Sequence, residues 1–229
     1  MLSPINGLPR FNEYNRLHKH LVLAECFRTA FASRCNRSHA AHHLVHDMNV
    51  ELSEGAILIR PYRQEDADAL YAAVRESLAE VSPWLPWCHE DYSIEESREF
   101  VSSRGKSAAD GEWYSFGVFE KDSGRFLGGV GLNFINRVHL MANLGYWVRT
   151  SSVGRGVATS AARLAARFGF EELGLHRIEV VAAVENIASQ RVAEKAGAVR
   201  EGLLRKRLLI RGESQDSVLF SLLPEDLAK

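Results

Sequence analysis

Cysteine is scarce in this sequence. Cys26, Cys35 and Cys88 are the three in 229 residues, and none forms a CxxC pair. That argues against a disulfide framework and leads us to expect a reducing, cytoplasmic setting. Long apolar runs are missing as well. The two longest stretches without a charged residue, Phe126–Asn136 and Val138–Val148, are parted by Arg137. Neither approaches the ~20 residues of a spanning helix, so no membrane partner is expected. No apolar segment followed by small residues marks a secretory leader. An excess of one charge is also absent. Lysine and arginine number 28 against 29 acids, a net −1, which leaves no electrostatic footprint for nucleic acid. Internal repeats and low-complexity linkers are lacking too. What remains is ordinary for a globular protein, 46% hydrophobic and 25% charged, and long enough to bury a full core without staples.

Charge is nevertheless uneven along the chain. Residues 1–47 hold six basic residues, three acidic ones and six of the nine histidines, leaving 22 basic and 26 acidic groups in residues 48–229. Three readings of residues 1–47 stay open: an accessory helix with Leu17, Leu21, Ala24, Phe27 and Phe31 on one face, a basic transit segment, or translated upstream sequence with Met48 as the true start. We expect an N-terminal extension over 1–47 and a single domain over 48–229. His39, His42, His43 and His46 include i,i+4 pairs, but no residue pattern orients them, and no metal site is expected.

From Ala56 onward the hydrophobic pattern is regular. Ala56–Arg63 alternates as a half-buried strand does, and Gln64–Leu78 places Ala67, Leu70, Tyr71, Val74 and Leu78 on one helical face. Two prolines in Ser82–Trp87 (SPWLPW) end that helix, and Ser93 with Glu96 has the spacing of a capping box opening a second one over 93–106. A hairpin follows, turning at Lys121–Gly124, then a strand over 140–149, a loop, a helix over 157–173, a strand over 176–184, a short helix over 187–196 and a last hairpin over 199–223. The order βααβββαβαββ predicts a mixed α/β domain: one central sheet of about seven strands with helices on both faces. The two strands flanking the 157–173 helix should be parallel, as a crossover requires.

Two stretches carry chemistry. In Val153-Gly154-Arg155-Gly156-Val157-Ala158 a strand runs through a glycine-flanked loop into a helix. Such a helix start offers unpaired backbone N–H groups and a favourable dipole to an anion. Two glycines let the backbone approach it closely, and Arg155 can add charge. A tight turn with ordinary glycines gives the same letters. The loop is not a dinucleotide fingerprint, because Thr159 stands where the third glycine belongs. The second stretch is Asn186–Gly197 (NIASQRVAEKAG), a short helix that Asn186 can cap, with Ser189 one turn in. Both residues would face the crevice beyond the carboxyl ends of the strands.

The element order, the loop SSVGRGVATSA and the stretch VENIASQRVAEKAGAVREGLLR resemble the GNAT N-acetyltransferases, and within them the RimJ/RimL type that acetylates N-termini of ribosomal proteins. The resemblance covers about residues 56–223. It implies acetyl-coenzyme A as cosubstrate, no metal, a pyrophosphate on the Gly154–Ala158 loop, and a pantetheine arm along the strand ending Tyr146-Trp147-Val148. Asn186 would position that arm, and Ser189 would assist the leaving thiolate. The implied acceptor is a primary amine, either a protein N-terminus or a small-molecule amine, and a non-catalytic acyl-coenzyme A sensor stays open as an alternative to an enzyme. A monomer or a homodimer is expected. The chain departs from the family pattern at Ser151, at Asn143 and at Leu208, where side chains that contact the cofactor or act as base are often found.

An α-amine titrates near ~8, against ~10.4 for lysine, so a usable fraction is neutral near pH 7 without a strong base. His89, Glu90, Asp91 and Glu112 are the candidate relays for its proton. The backbone N–H of Val148 is the candidate oxyanion donor. Trp84, Trp87 and Tyr92 belong to the connection that lines the acceptor cleft in this family, and core packing is the competing role for them. Nearby Glu76, Glu80, Glu90 and Asp91 favour a cationic acceptor.

Overall fold

The structure, a computed structural model, describes residues 50–227. The boundary expected at Met48, the 1–47 extension and its histidines lie outside the described residues.

Among these residues the strands are β1 (Leu52–Glu54), β2 (Ile57–Pro61), β3 (Tyr114–Glu120), β4 (Phe126–Asn136), β5 (Met141–Val148), β6 (Arg177–Ala183), β7 (Val199–Ile210) and β8 (Glu213–Leu222). The helices are α1 (Ala67–Glu76), α2 (Leu78–Val81), α3 (Ile94–Ala109), α4 (Val157–Glu171) and α5 (Ile187–Lys195). One sheet forms in the order β1-β2-β3-β4-β5-β6-β8-β7. It has eight strands rather than about seven. The additional one, β1, is three residues long with a single apolar side chain, too short to show a period. The expected helix over 64–78 also divides at Ser77. The Ser77 hydroxyl donates to the Ala73 carbonyl at 2.7 Å and caps the turn.

Side-chain alternation sends each strand's residues to two cores. On one face Ile57, Ile59, Phe116, Val118, Leu127, Val130, Leu132 and Leu144 pack against Ala161, Leu164, Ala165 and Phe168 of α4. On the other, Phe119 and Phe126 pack with Leu70, Ala73 and Val74 of α1 and Val101 of α3, with Tyr62 and Trp147 against them. Each such large side chain contributes ~1.5–3 kcal/mol. Gly129 keeps this second layer thin. A Cβ there would come within 2.7 Å of both the Trp147 indole nitrogen and the Tyr62 hydroxyl. The α3 capping box is formed as the sequence predicts, Glu96 N–H donating to Ser93 Oγ and Ser93 N–H to Glu96 Oε1.

At the far edge of the sheet, Glu201 accepts from Arg177 at 2.6 and 2.8 Å and from the Ser221 hydroxyl at 2.7 Å. The Arg177 guanidinium and Ser221 hold its carboxyl at about 2. A depressed carboxyl contributes stability above its unfolded value, near ~4.3, that is lost as pH falls through the folded one. Melting temperature should therefore fall between about pH 4.5 and 2, and Glu201→Gln should melt lower at pH 7 but lose less over that window. Parallel pH profiles of the two proteins would contradict this pairing.

Candidate active site

The site begins where two strands part. β5 and β6 are the single parallel pair among the described residues. They are in register only at Met141–Asn143 against Arg177–Glu179. From Leu144 onward β5 stays paired to β4 and leaves β6, so a wedge opens toward the carboxyl ends of both strands. Arg149 N–H donates to the Leu127 carbonyl. Alternation along β5 therefore turns the backbone groups of Trp147 toward β4 and those of Tyr146 and Val148 toward the wedge. The Trp147 indole lies in the second core, with ring centroids 5.7 Å from Trp87 and 6.0 Å from Phe126.

Beyond β5 a short turn over Thr150–Ser152 leads into the glycine loop. Gly154 (φ +81°) and Gly156 (φ +78°) both adopt left-handed backbone angles, and a Cβ at either would meet nothing within 4 Å. The space above the loop is open, and the conformation is one that glycine takes without steric cost. Gly156 caps α4. The first N–H bonded back along this helix is that of Ser160, to Gly156, so those of Val157, Ala158 and Thr159 have no partner within it. Val153 donates its own N–H to Thr150 and exposes its side chain. The Arg155 guanidinium is held by Glu120 at 2.7 Å.

Across the wedge, Asn186 caps α5 as expected, its Oδ1 accepting the Ser189 N–H at 3.0 Å. Ser189 meets a partner 43 residues away that no local pattern signals. Its hydroxyl donates to the Tyr146 oxygen at 3.2 Å, while the Tyr146 hydroxyl donates to the Ser189 carbonyl at 2.8 Å. This hydroxyl pair joins β5 to α5 across the gap. Burial pushes the Tyr146 phenol up to about 12, against the opposing pull of its hydrogen bonds, so it remains a neutral donor at ordinary pH.

The acceptor-side residues divide. Tyr92 is buried, accepts from the Ser97 hydroxyl at 2.9 Å and serves the core. Trp87 packs edge-on against both Tyr92 and Trp147. Trp84 is half-buried on the same connection. Glu76 is paired with Arg149, whereas Glu80 is exposed and keeps its charge. Glu76 accepts from Arg149 and the Ser151 N–H, and Glu80 from the Thr150 hydroxyl. Glu90 and Asp91 are exposed. His89 stands 3.0 Å from Glu96, through Nε2. Tyr114 stands opposite Leu132, which stands opposite Leu144, so Glu112 lies toward the closed end of the wedge.

The family model described as "Acetyltransferase (GNAT) domain" matches residues 56–199. The Bacillus subtilis protein named "Probable N-acetyltransferase YjcK" is 33% identical over 74% of this chain and 95% of its own length. Escherichia coli spermidine N(1)-acetyltransferase is 30% identical over 72% of this chain and 85% of its own. The solved structure of Mycobacterium smegmatis RimJ in complex with CoA-disulfide is 27% identical, with a TM-score of 0.68 over 76% of this chain and 84% of that one.

Proposed function

The chain belongs to the acetyltransferase (GNAT) domain family, and from that premise we propose that it transfers acetyl from acetyl-coenzyme A to a primary amine, the α-amine of a polypeptide. The observation that carries this reading is the wedge between β5 and β6, with the open glycine loop at its mouth and the Tyr146–Ser189 hydroxyl pair across it.

The residues fit the cosubstrate. Backbone N–H groups of Gly154 to Thr159, together with the start of α4, suit a pyrophosphate. The cleft-facing edge of β5 at Tyr146 and Val148 offers strand-like pairing to an amide-bearing arm. When bound, acetyl-coenzyme A supplies the thioester carbonyl to be attacked. The Val148 N–H, turned into the wedge, donates to the carbonyl oxygen as charge develops there. The Ser189 hydroxyl donates a hydrogen bond to the departing sulfur. A thiol titrates near ~8.5, so this hydroxyl need only hydrogen-bond the sulfur. Outright proton transfer from a group as weakly acidic as serine is not required. Among the described residues the buried carboxylates are Asp66, paired with Arg60, and Asp226, which accepts the Leu223 N–H, and neither lies on β5 or α5; that suits an α-amine near ~8 better than a lysine near ~10.4. Glu76, committed to Arg149 and the Ser151 N–H, is not a free charge for a polyamine.

Thiol release from acetyl-coenzyme A, measured with free peptides, N-acetylated peptides and spermidine, tests the proposal. Release with free peptides alone is expected. Release with spermidine alone would move the acceptor to a small polyamine. No release with any amine, despite coenzyme A binding, would indicate a sensor.

A further inference from the structure

The end of α1 breaks a local rule. A helix C-terminus favours cations, yet Glu76 is the last residue of α1, and Glu80 follows in α2. Ser77 between them is fully buried, an unfavourable place for a hydroxyl unless it is bonded. All three side chains reach the same target, the three residues that lead from β5 into the glycine loop. Glu76 Oε2 accepts from Arg149 Nε at 2.5 Å, and its Oε1 accepts the Ser151 N–H at 2.8 Å. The Ser77 hydroxyl accepts the Thr150 N–H at 3.0 Å while donating to Ala73. Glu80 Oε2 accepts from the Thr150 hydroxyl at 2.9 Å. Partial burial pushes the Glu76 carboxyl upward, but the Ser151 and Arg149 bonds prevail and hold it at about 2, so the acceptor is charged at any working pH.

We propose that Glu76, Ser77 and Glu80 are positioning residues that pre-set the cofactor loop, holding Arg149–Ser151 so that the backbone N–H groups beyond Gly154 already point at the site of the pyrophosphate. A loop with two left-handed glycines has many accessible conformations, and fixing it before binding removes an ordering cost from the cofactor's affinity. The Arg125 guanidinium supports the same segment from the β3–β4 turn, donating to Ser151 Oγ at 2.8 Å. α2 also leads directly into Ser82–Trp87, the connection expected from the family resemblance to line the acceptor cleft.

This inference rests on the reading of the glycine loop as the pyrophosphate cradle, and the experiment separates the two. Coenzyme A binding by calorimetry, well below each protein's melting temperature, is compared for the full chain and for Glu76→Ala, Glu76→Gln and Gly154→Val. Glu76→Ala removes two hydrogen bonds involving a charged group and should weaken binding about tenfold. KM for acetyl-coenzyme A should rise in step, with kcat the smaller change. Glu76→Gln keeps a carbonyl oxygen for the Ser151 N–H and should recover part of the affinity. A lower melting temperature in Glu76→Ala with unchanged coenzyme A affinity, while Gly154→Val still abolishes binding, would overturn the positioning role alone. Unchanged affinity in Gly154→Val would overturn the cradle and the positioning role together.

Discussion

Replacing Gly154 with valine should abolish measurable coenzyme A binding while leaving a folded protein. The residue sits at φ +81° with nothing within 4 Å of where a Cβ would stand, so a Cβ there displaces no packed neighbour. It acts in two other ways. A β-branched side chain resists the left-handed angle, at a cost of ~1–3 kcal/mol that is met either as strain or by a changed loop. The side chain also projects into the open space above the loop that the pyrophosphate needs. Losing one or two backbone hydrogen bonds to a charged group costs ~1.5–3 kcal/mol each. With ~1.4 kcal/mol per factor of ten, affinity should fall by roughly a hundredfold or more. Gly154→Ala, strained but not branched, should fall between. Arg155→Ala should be the mildest of the three, because Glu120 already holds that guanidinium at 2.7 Å and a phosphate must draw it away. Calorimetry and thermal melts check the series, and wild-type affinity in Gly154→Val would place the cofactor elsewhere.

What could be read from the sequence was whatever is written locally. The glycine loop joins a strand to a helix within a few residues, and both glycines take the backbone angles that make them useful. Asn186 and the Ser93–Glu96 box are caps, and a cap is a relation over three residues. The parallel pair followed from one crossover helix, and it ends at Asn143, so Val148 is not paired to β6. What could not be read is long-range. Glu76 and Glu80 read as charge for a cationic acceptor until Arg149 and Thr150, at least 70 residues on from their partners, are laid against them. The Tyr146–Ser189 pair depends on where α5 docks after β6. In β7, Arg205-Lys206-Arg207 bulges out between Leu204 and Leu208, with Lys206 at φ +51°. An uninterrupted strand pattern hides that irregularity, because the Lys206 N–H is satisfied by the side chain of Asp216, across the hairpin.

The second large effect is expected at Ser189, and Tyr146 gives it a sharper form. Ser189→Ala should lower kcat by about a hundredfold, the low end for assistance by a proton donor, with coenzyme A affinity nearly unchanged. The hydroxyl's bond to sulfur gains strength mainly as the thiolate departs, so its loss falls on the transition state. In the resting protein that hydroxyl proton points at the Tyr146 oxygen. Turning it to sulfur breaks a neutral hydrogen bond of ~1 kcal/mol net and makes one to a developing anion in its place. Tyr146→Phe removes the competing acceptor and leaves Ser189 on α5. Turnover should then fall less than in Ser189→Ala, through the looser tie between β5 and α5 once the 2.8 Å bond to the Ser189 carbonyl is lost. The opposite order, with Tyr146→Phe inactive and Ser189→Ala near wild type, would hand the role to the phenol. Single-turnover rates at saturating acetyl-coenzyme A distinguish the two, because they exclude product release. A phenol that titrates only near 12 is neutral throughout the working range, so neither variant should shift the acid limb of the wild-type pH profile.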